Sequence, residues 1–225
     1  MALWSVICAN IKKKKGSFIG VFILIFIISV TVTSILSSYL SGYERYDIAA
    51  KEENAPDIIN VVYEKDYDEV YEEKLKLQEE VKEVENIKGM RYTRNLNIKG
   101  KEFSSSILMF AYEPEVFSNE LEDGDRMIIP KEGEIYLPKF FKEKYNCDIG
   151  DELTFTSEDK ECTFTISNFF EDTTYGTSVM GTKRIYINPS DFEELYDSNN
   201  KEFAHISALY TMLKDEYKGQ GKVIK

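Results

Sequence analysis

The sequence predicts an α+β fold in which one N-terminal transmembrane helix leads into a mixed α/β extracytoplasmic domain with a β-rich subdomain. Three observations lead to that class. Residues 16–43 carry no charge. Beyond Asp57, short β-branched and aromatic runs alternate with turn-forming residues, as strands do. Between Asp66 and Gly89, apolar residues return at helical spacing among Glu and Lys. With 225 residues, the chain has room for one sizeable domain, residues 44–225, besides the apolar segment.

The apolar segment is suited to spanning a bilayer. Residues 18–36 read FIGVFILIFIISVTVTSIL, nineteen positions broken only by one Gly and small hydroxyl side chains. About 20 residues at a rise of 1.5 Å cover a hydrocarbon core of roughly 30 Å, and Ser or Thr hydroxyls return their hydrogen bonds to carbonyls one turn back. A core strand of a water-soluble protein is only about 5 to 6 residues long. Four lysines at 12–15 precede the span, whereas Glu44, Arg45 and Asp47 mix both signs after it. The N-terminus is therefore expected in the cytoplasm, with everything from about Ser41 outside a cell membrane that the chain crosses once. A cleaved secretory signal competes, but its apolar region is about 7 to 15 residues long, and Ser34, Ser37, Ser38 and Ser41 supply no Ala-x-Ala site. Ahead of the lysines, Leu3, Trp4, Ile7, Cys8 and Ile11 fall on one face at spacings of three and four. That is the pattern of an amphipathic elbow helix over residues 1–15 in the cytoplasmic lipid interface, with a frayed terminus as the alternative.

Residues 43–56, YERYDIAAKEENAP, read as a linker or as an extension of the spanning helix, and DIINVVY at 57–63 as a strand. Asp66 and Glu69 form a capping box, after which Val70, Leu77, Val81 and Val84 share a helical face that ends at a Gly89 C-cap. Residues 90–98 and 106–112 read as a hairpin turning at Gly100 and Lys101. An α/β part is thus expected over about 57–115, its helix lying across one face of a small sheet. The β-rich part, about 130–200, opens with a strand at 134–137 and a helix that begins at Pro138 and carries Phe140, Phe141 and Tyr145. Strands at 152–156, 162–170 and 184–187 and a helix at 191–196 follow, with a charged turn at 157–160. Residues 203–212 read as strand then helix.

Charge and composition exclude several functions. Residues 1–43 hold four Lys and no acid, while residues 44–225 hold 24 basic against 40 acidic side chains, a formal −16. Nucleic acid is not an expected partner, because phosphate neutralisation needs clustered positive charge. One His cannot build a multi-His metal site, and three widely spaced Cys contain no C-x-x-C pair. Glu171 and Asp172 ahead of Thr173 and Thr174 could be drawn as an acid and a base, but a solvated loop is the plainer reading. Glu122, Asp123 and Asp125 around Gly124 miss the calcium-loop pattern, since Met127 and Ile128 stand where a ligand and a Gly belong. GTSVMG at 176–181 places its second Gly one residue too far for a nucleophile elbow, and His205 is the only available triad base. No catalytic, cofactor-binding or metal-binding residue is assigned, and an enzyme is not expected. Cys147 and Cys162, with fourteen residues between them, could form a disulfide, and two buried thiols fit the sequence at least as well.

Three segments carry a resemblance to a known family. The first is ALWSVICANIKKKKGSFIGVFILIFIISVTVTSI at 2–35, an elbow running into a span. The second is GEIYLPKFFKEKYNCDIGDELTF at 133–155: an acidic residue and short strand, a helix, then Ile149, Gly150 and Asp151 opening a new strand. The third is the strand at 164–169, followed after a polar loop by residues 184–188. Together they resemble the amino-terminal part of a MacB/FtsX-like ABC transporter permease over most of the chain. The resemblance implies a MacB periplasmic core-like fold and a mechanical role. A partner ATPase dimer binds ATP and closes in the cytoplasm, the spans move, and the outer domain changes pose in export, lipoprotein or peptide handling, or mechanotransmission. It implies as partners an ABC ATPase subunit, further permease spans or a second permease copy, and membrane lipid. In that family three more spans and a coupling helix follow the outer domain, so a sequence ending at Lys225 is expected to be a truncated permease or half of a split one. The alternative of a different class is a single-pass anchored binding or sensor module, whose acidic domain takes a cationic peptide or cell-wall ligand.

Overall fold

The computed structural model describes residues 15–53, 55–104, 106–122, 124–156, 161–176, 181–198 and 201–218. It divides into two compact units, Met1–Ile48 and Ala49–Lys225. Helix α1 (Lys15–Glu52) makes up the described part of the first unit and supplies the opening residues of the second. Ile19, Phe22, Leu24, Phe26, Ile28 and Ile35 are all more than half exposed, so apolar side chains lie uncovered along its length. Among the described residues it is the one helix long and apolar enough to cross a membrane. The Thr31 hydroxyl donates to the Ile27 carbonyl at 2.8 Å, the return bond expected of a hydroxyl in a span. The polar stretch after Tyr43 stays helical as far as Glu52, which decides for an extension of the helix over a linker. Residues 1–14 of the expected elbow, with Cys8, lie outside the described residues.

In chain order the second unit contains β1 (Ile58–Tyr63), α2 (Glu69–Lys76), β2 (Val81–Tyr92), β3 (Leu96–Ile98), β4 (Lys101–Phe103) and β5 (Ile107–Ala111). It continues with β6 (Glu134–Pro138), α3 (Lys139–Tyr145), β7 (Glu152–Thr156), β8 (Glu161–Phe170), β9 (Lys183–Ile187), α4 (Pro189–Asp197) and β10 (Phe203–Leu213). Helix α2 is only two turns long and is capped by Asp68, whose side chain accepts from Val70 N at 2.9 Å, rather than by Asp66. Val81, Val84 and Gly89 belong to β2, not to the helix. Leu213 pairs with Val81 but Met212 with Glu83, so the strand bulges at Lys82. That extra residue turns Val81 and Val84 to the same side, where both pack with Leu75 and Leu209. A bulged strand thereby imitates the three-residue spacing of a helix.

The expected single hairpin over residues 90–112 is two features. Strands β3 and β4 form their own ribbon around Lys99 (φ 48°) and Gly100 (φ 77°), a two-residue turn with both residues left-handed. Strand β2 continues past that ribbon to pair antiparallel with β5. Strand β10 has no helical end, because β1 and β2 pair along both of its sides.

One eight-stranded sheet runs β1-β10-β2-β5-β9-β6-β8-β7. Only β5–β9 and β6–β8 are parallel neighbours. The stretches read from the sequence as an α/β part and a β-rich part share this sheet. Its central strands are buried on both faces, so their patterns read as continuous apolar runs. Met109, Ile185 and Leu137 meet Phe141 of α3 and Phe192 of α4 in one core. Phe110, Tyr186 and Tyr136 meet Phe117, Leu121 and Met127 in the other. Helix α3 stops at Asn146, which takes the left-handed conformation, and α4 starts under an Asn188 cap with Pro189 in its first turn.

Candidate functional site

Two charged residues, Lys183 and Arg184, open β9, a strand with every residue buried. Placing their charges inside a sheet requires partners. Arg184 Nε lies 3.1 Å from Asp172 Oδ2, and its Nη1 donates to the Tyr210 hydroxyl at 3.2 Å. The guanidinium also sits 5.3 Å from the Tyr186 ring centre and 5.6 Å from those of Phe117 and Tyr175. Burial opposes its charge, but Asp172 and the Tyr186 and Tyr210 hydroxyls outweigh burial and hold its pKa above the ordinary arginine value. Lys183 donates to the Tyr175 carbonyl at 2.8 Å and rests 4.2 Å from the centre of the Phe140 ring. Burial lowers its pKa.

Asp172 also folds the loop that follows β8. Its Oδ1 accepts from Thr174 N at 2.9 Å and Tyr175 N at 2.8 Å, and its carbonyl accepts from Gly176 N at 2.9 Å. Gly176 is needed there, since a Cβ would stand 2.2 Å from that carbonyl oxygen. The network extends through the Tyr186 hydroxyl, which donates to Asn119 Oδ1 at 2.8 Å, and Asn119 Nδ2, which donates to the Glu171 carbonyl at 3.2 Å.

Glu53, the residue directly after α1, reaches the same loop, and all of these residues belong to the second unit. Its carboxylate accepts from Thr173 N, 3.2 Å from each oxygen, and from the Thr173 hydroxyl at 2.8 Å. Burial is the main reason its pKa is pushed up to about 7; the Thr173 bonds and Arg184 pull it down, and Asp172 adds to the rise. The arrangement fastens the chain after the helix to a charge pair in the middle of the sheet.

The residues singled out from the sequence fall in different places. Asp172 is not in a solvated loop as expected: its side chain is sealed, because the buried Arg184 needs a carboxylate. Cys147 and Cys162 are not joined in a disulfide. Cys147 is buried just beyond α3, with its pKa raised by burial, and Cys162 stands half-buried on β8 opposite Phe155 of β7. His205 stacks on Tyr196, ring centres 3.8 Å apart, with Nδ1 3.3 Å from Glu64 Oε2. Residues 177–180 of GTSVMG, Asp123 and the 157–160 turn lie outside the described residues. Among the described residues no three His, Cys, Asp or Glu side chains gather as a metal site needs. Sequence reasoning missed Glu53 and Arg184. The available signal was Lys183-Arg184 running directly into the apolar Ile185-Tyr186-Ile187, two charges at the mouth of a strand too apolar to be an edge.

No protein-family model matches the sequence, and no curated protein matches it. Among solved structures, a domain from Porphyromonas gingivalis, provisionally described as part of a permease protein, is similar at 20% identity with a TM-score of 0.37. The match covers 62% of this chain and 66% of that one, so the chain spans just under two thirds of that structure.

Proposed function

We propose that the chain is a component of an ABC transporter permease of the MacB/FtsX type. In this reading a membrane span carries an outer domain that works mechanically, in export, lipoprotein or peptide handling, or mechanotransmission, and not as an enzyme. The N-terminus is cytoplasmic, the domain lies on the outer side of the cell membrane, and ATP is bound by a partner ATPase, this chain holding no cofactor. Further spans or a second permease copy complete the transporter.

The observation that carries this reading is the attachment of Glu53. The residue that follows the long apolar helix is bound by Thr173, whose neighbour Asp172 holds Arg184 in the sheet. A displacement of the chain at Glu53 is then felt at the loop and at β9, which is what a mechanical relay needs and a loose tether lacks. A second support is local. The segment at 133–155 forms the strand β6, the helix α3, a turn at Gly150 (φ 92°) and the strand β7, the order that the resemblance implies.

The test is a pull-down of the tagged chain from native membranes, followed by mass spectrometry. Recovery of an ABC ATPase or of a protein carrying further spans is the expected result. Recovery of neither overturns the transporter reading and leaves the anchored binding module.

A further inference from the structure

Strand register brings Tyr63 of β1 and Arg91 of β2 to the two sides of β10, where Tyr63 pairs with Ile206 and Arg91 with Ala204. These positions share one face of the sheet. A cleft of about 290 Å³ opens there, its lining including Arg91, Tyr63, Asn95, Ser104, Ser106 and Arg94, the last paired with Glu202 at 2.7 Å. That is near the lower end of small-ligand sites, about 300 Å³. None of the described lining side chains is acidic, in a domain whose formal charge is −16.

Arg91 meets hydroxyl groups in the cleft. Lys76, Arg94, Lys99, Lys139, Lys142 and Arg184 each face a carboxylate. Arg91 instead donates through Nε to the Ser106 hydroxyl at 2.7 Å and through Nη1 to the Tyr63 hydroxyl at 3.1 Å, with the Tyr63 ring centre 5.9 Å away. Those bonds use two of the five guanidinium N–H donors. They fix its plane without neutralising it, and the planar fork is the group best matched to two oxygens of one anion. Holding the guanidinium in place beforehand reduces the ordering cost of binding.

We propose that this cleft binds the oxyanion group of a small ligand, a carboxylate or a phosphate, on the Arg91 guanidinium, with the second amide proton of Asn95 and the Ser104 hydroxyl as further donors. An acidic domain would then select an anionic group at one point by local pre-organisation, against its overall field.

The test is isothermal titration calorimetry of the full chain in detergent micelles at constant ionic strength, with inorganic phosphate and with N-acetylalanine as probes. Saturable binding of at least one probe is expected, weakened about tenfold or more by Arg91→Gln. Arg91→Lys, which keeps the charge but not the fork, should weaken it less, and Lys82→Gln, at an exposed position on the same strand, should leave it unchanged. Phosphate binding alone assigns a phosphate-bearing ligand, and N-acetylalanine binding alone a carboxylate. If Arg91→Gln fails to fold, Ser106→Ala, which only removes the hydroxyl holding Nε, takes its place with a several-fold loss expected. Absence of saturable binding by both probes, or binding that survives Arg91→Gln (or, in its place, Ser106→Ala) undiminished, overturns the proposal.

Discussion

Arg184 Nε lies 3.1 Å from Asp172 Oδ2, with the Arg184 side chain 4% and the Asp172 side chain 0% exposed. Removing one member of such a pair leaves the other charge buried alone, which typically costs about 3 to 5 kcal/mol. Asp172→Asn and Arg184→Met should each lower the stability of the chain by that order, read from urea unfolding midpoints. The double variant should lose less than the two single losses added together. Strict additivity would mean that the pair does not act as a unit.

Glu53 gives the domain a pH dependence of definite sign. Its carboxyl titrates near 7 in the fold, against an ordinary value of 4.5. Between those values the native state binds the proton more tightly than the unfolded chain, so stability falls as pH rises from 4.5 towards 7. The full loss, about 3 kcal/mol from this group, is present above 7 and absent below 4.5. Glu53→Gln keeps an acceptor for Thr173 and should raise the melting temperature at pH 8 while leaving it nearly unchanged at pH 4.5. Parallel melting curves for parent and variant across that range would contradict the assignment.

Gly89 sits in β2 opposite Ile206, and a Cβ there would come within 2.5 Å of Phe110 Cε1. Gly89→Ala therefore forces the ring out of its place in the core and should cost about 1 to 3 kcal/mol. Replacing Phe110 by Leu in the same chain should recover part of that loss. Chemical denaturation of both variants measures it, and an unperturbed single variant would show that the ring moves aside freely.

Cys147 and Cys162 should behave as separate thiols. Unfolding the chain in denaturant without reductant and adding an alkylating reagent should modify both, as read by peptide mass spectrometry. In the native chain Cys147, 1% exposed, should react much more slowly than Cys162. A pair that reacts only after reduction would establish a disulfide instead.

The sequence was most legible where one local signal outweighed its competitors. The long apolar helix showed itself by an uninterrupted lack of charge and α3 by Pro138, whereas α4 starts at Pro189, two residues before the Asp191 start read from the sequence. Strand β2 was misread because a bulge at Lys82 gave Val81 and Val84 a helical spacing, and because Gly89, which marks a close approach of Phe110, is also the usual mark of a helix end. The end of β10 was misread because its regularity comes from pairing with two distant strands, which no local pattern records. Glu53 looked like one acid among many in a polar stretch. Its meaning depends on Thr173 and Arg184, far along the chain, and only the folded sheet brings them together.

The insertion of β10 between β1 and β2 bears on the order in which the protein can be made. Tyr63 pairs with Ile206 and Gly89 with the same residue from the other side, so β1 has no place in the sheet until β10 exists. Until residues 203–213 are made, the growing chain carries β1 without a partner and one whole side of β2 with open N–H and C=O groups. Closing such a long loop is slow, and exposed strand edges invite wrong pairings in the meantime. A chain cut short before residues 203–213 lacks the strand that joins β1 to β2 and cannot complete its sheet.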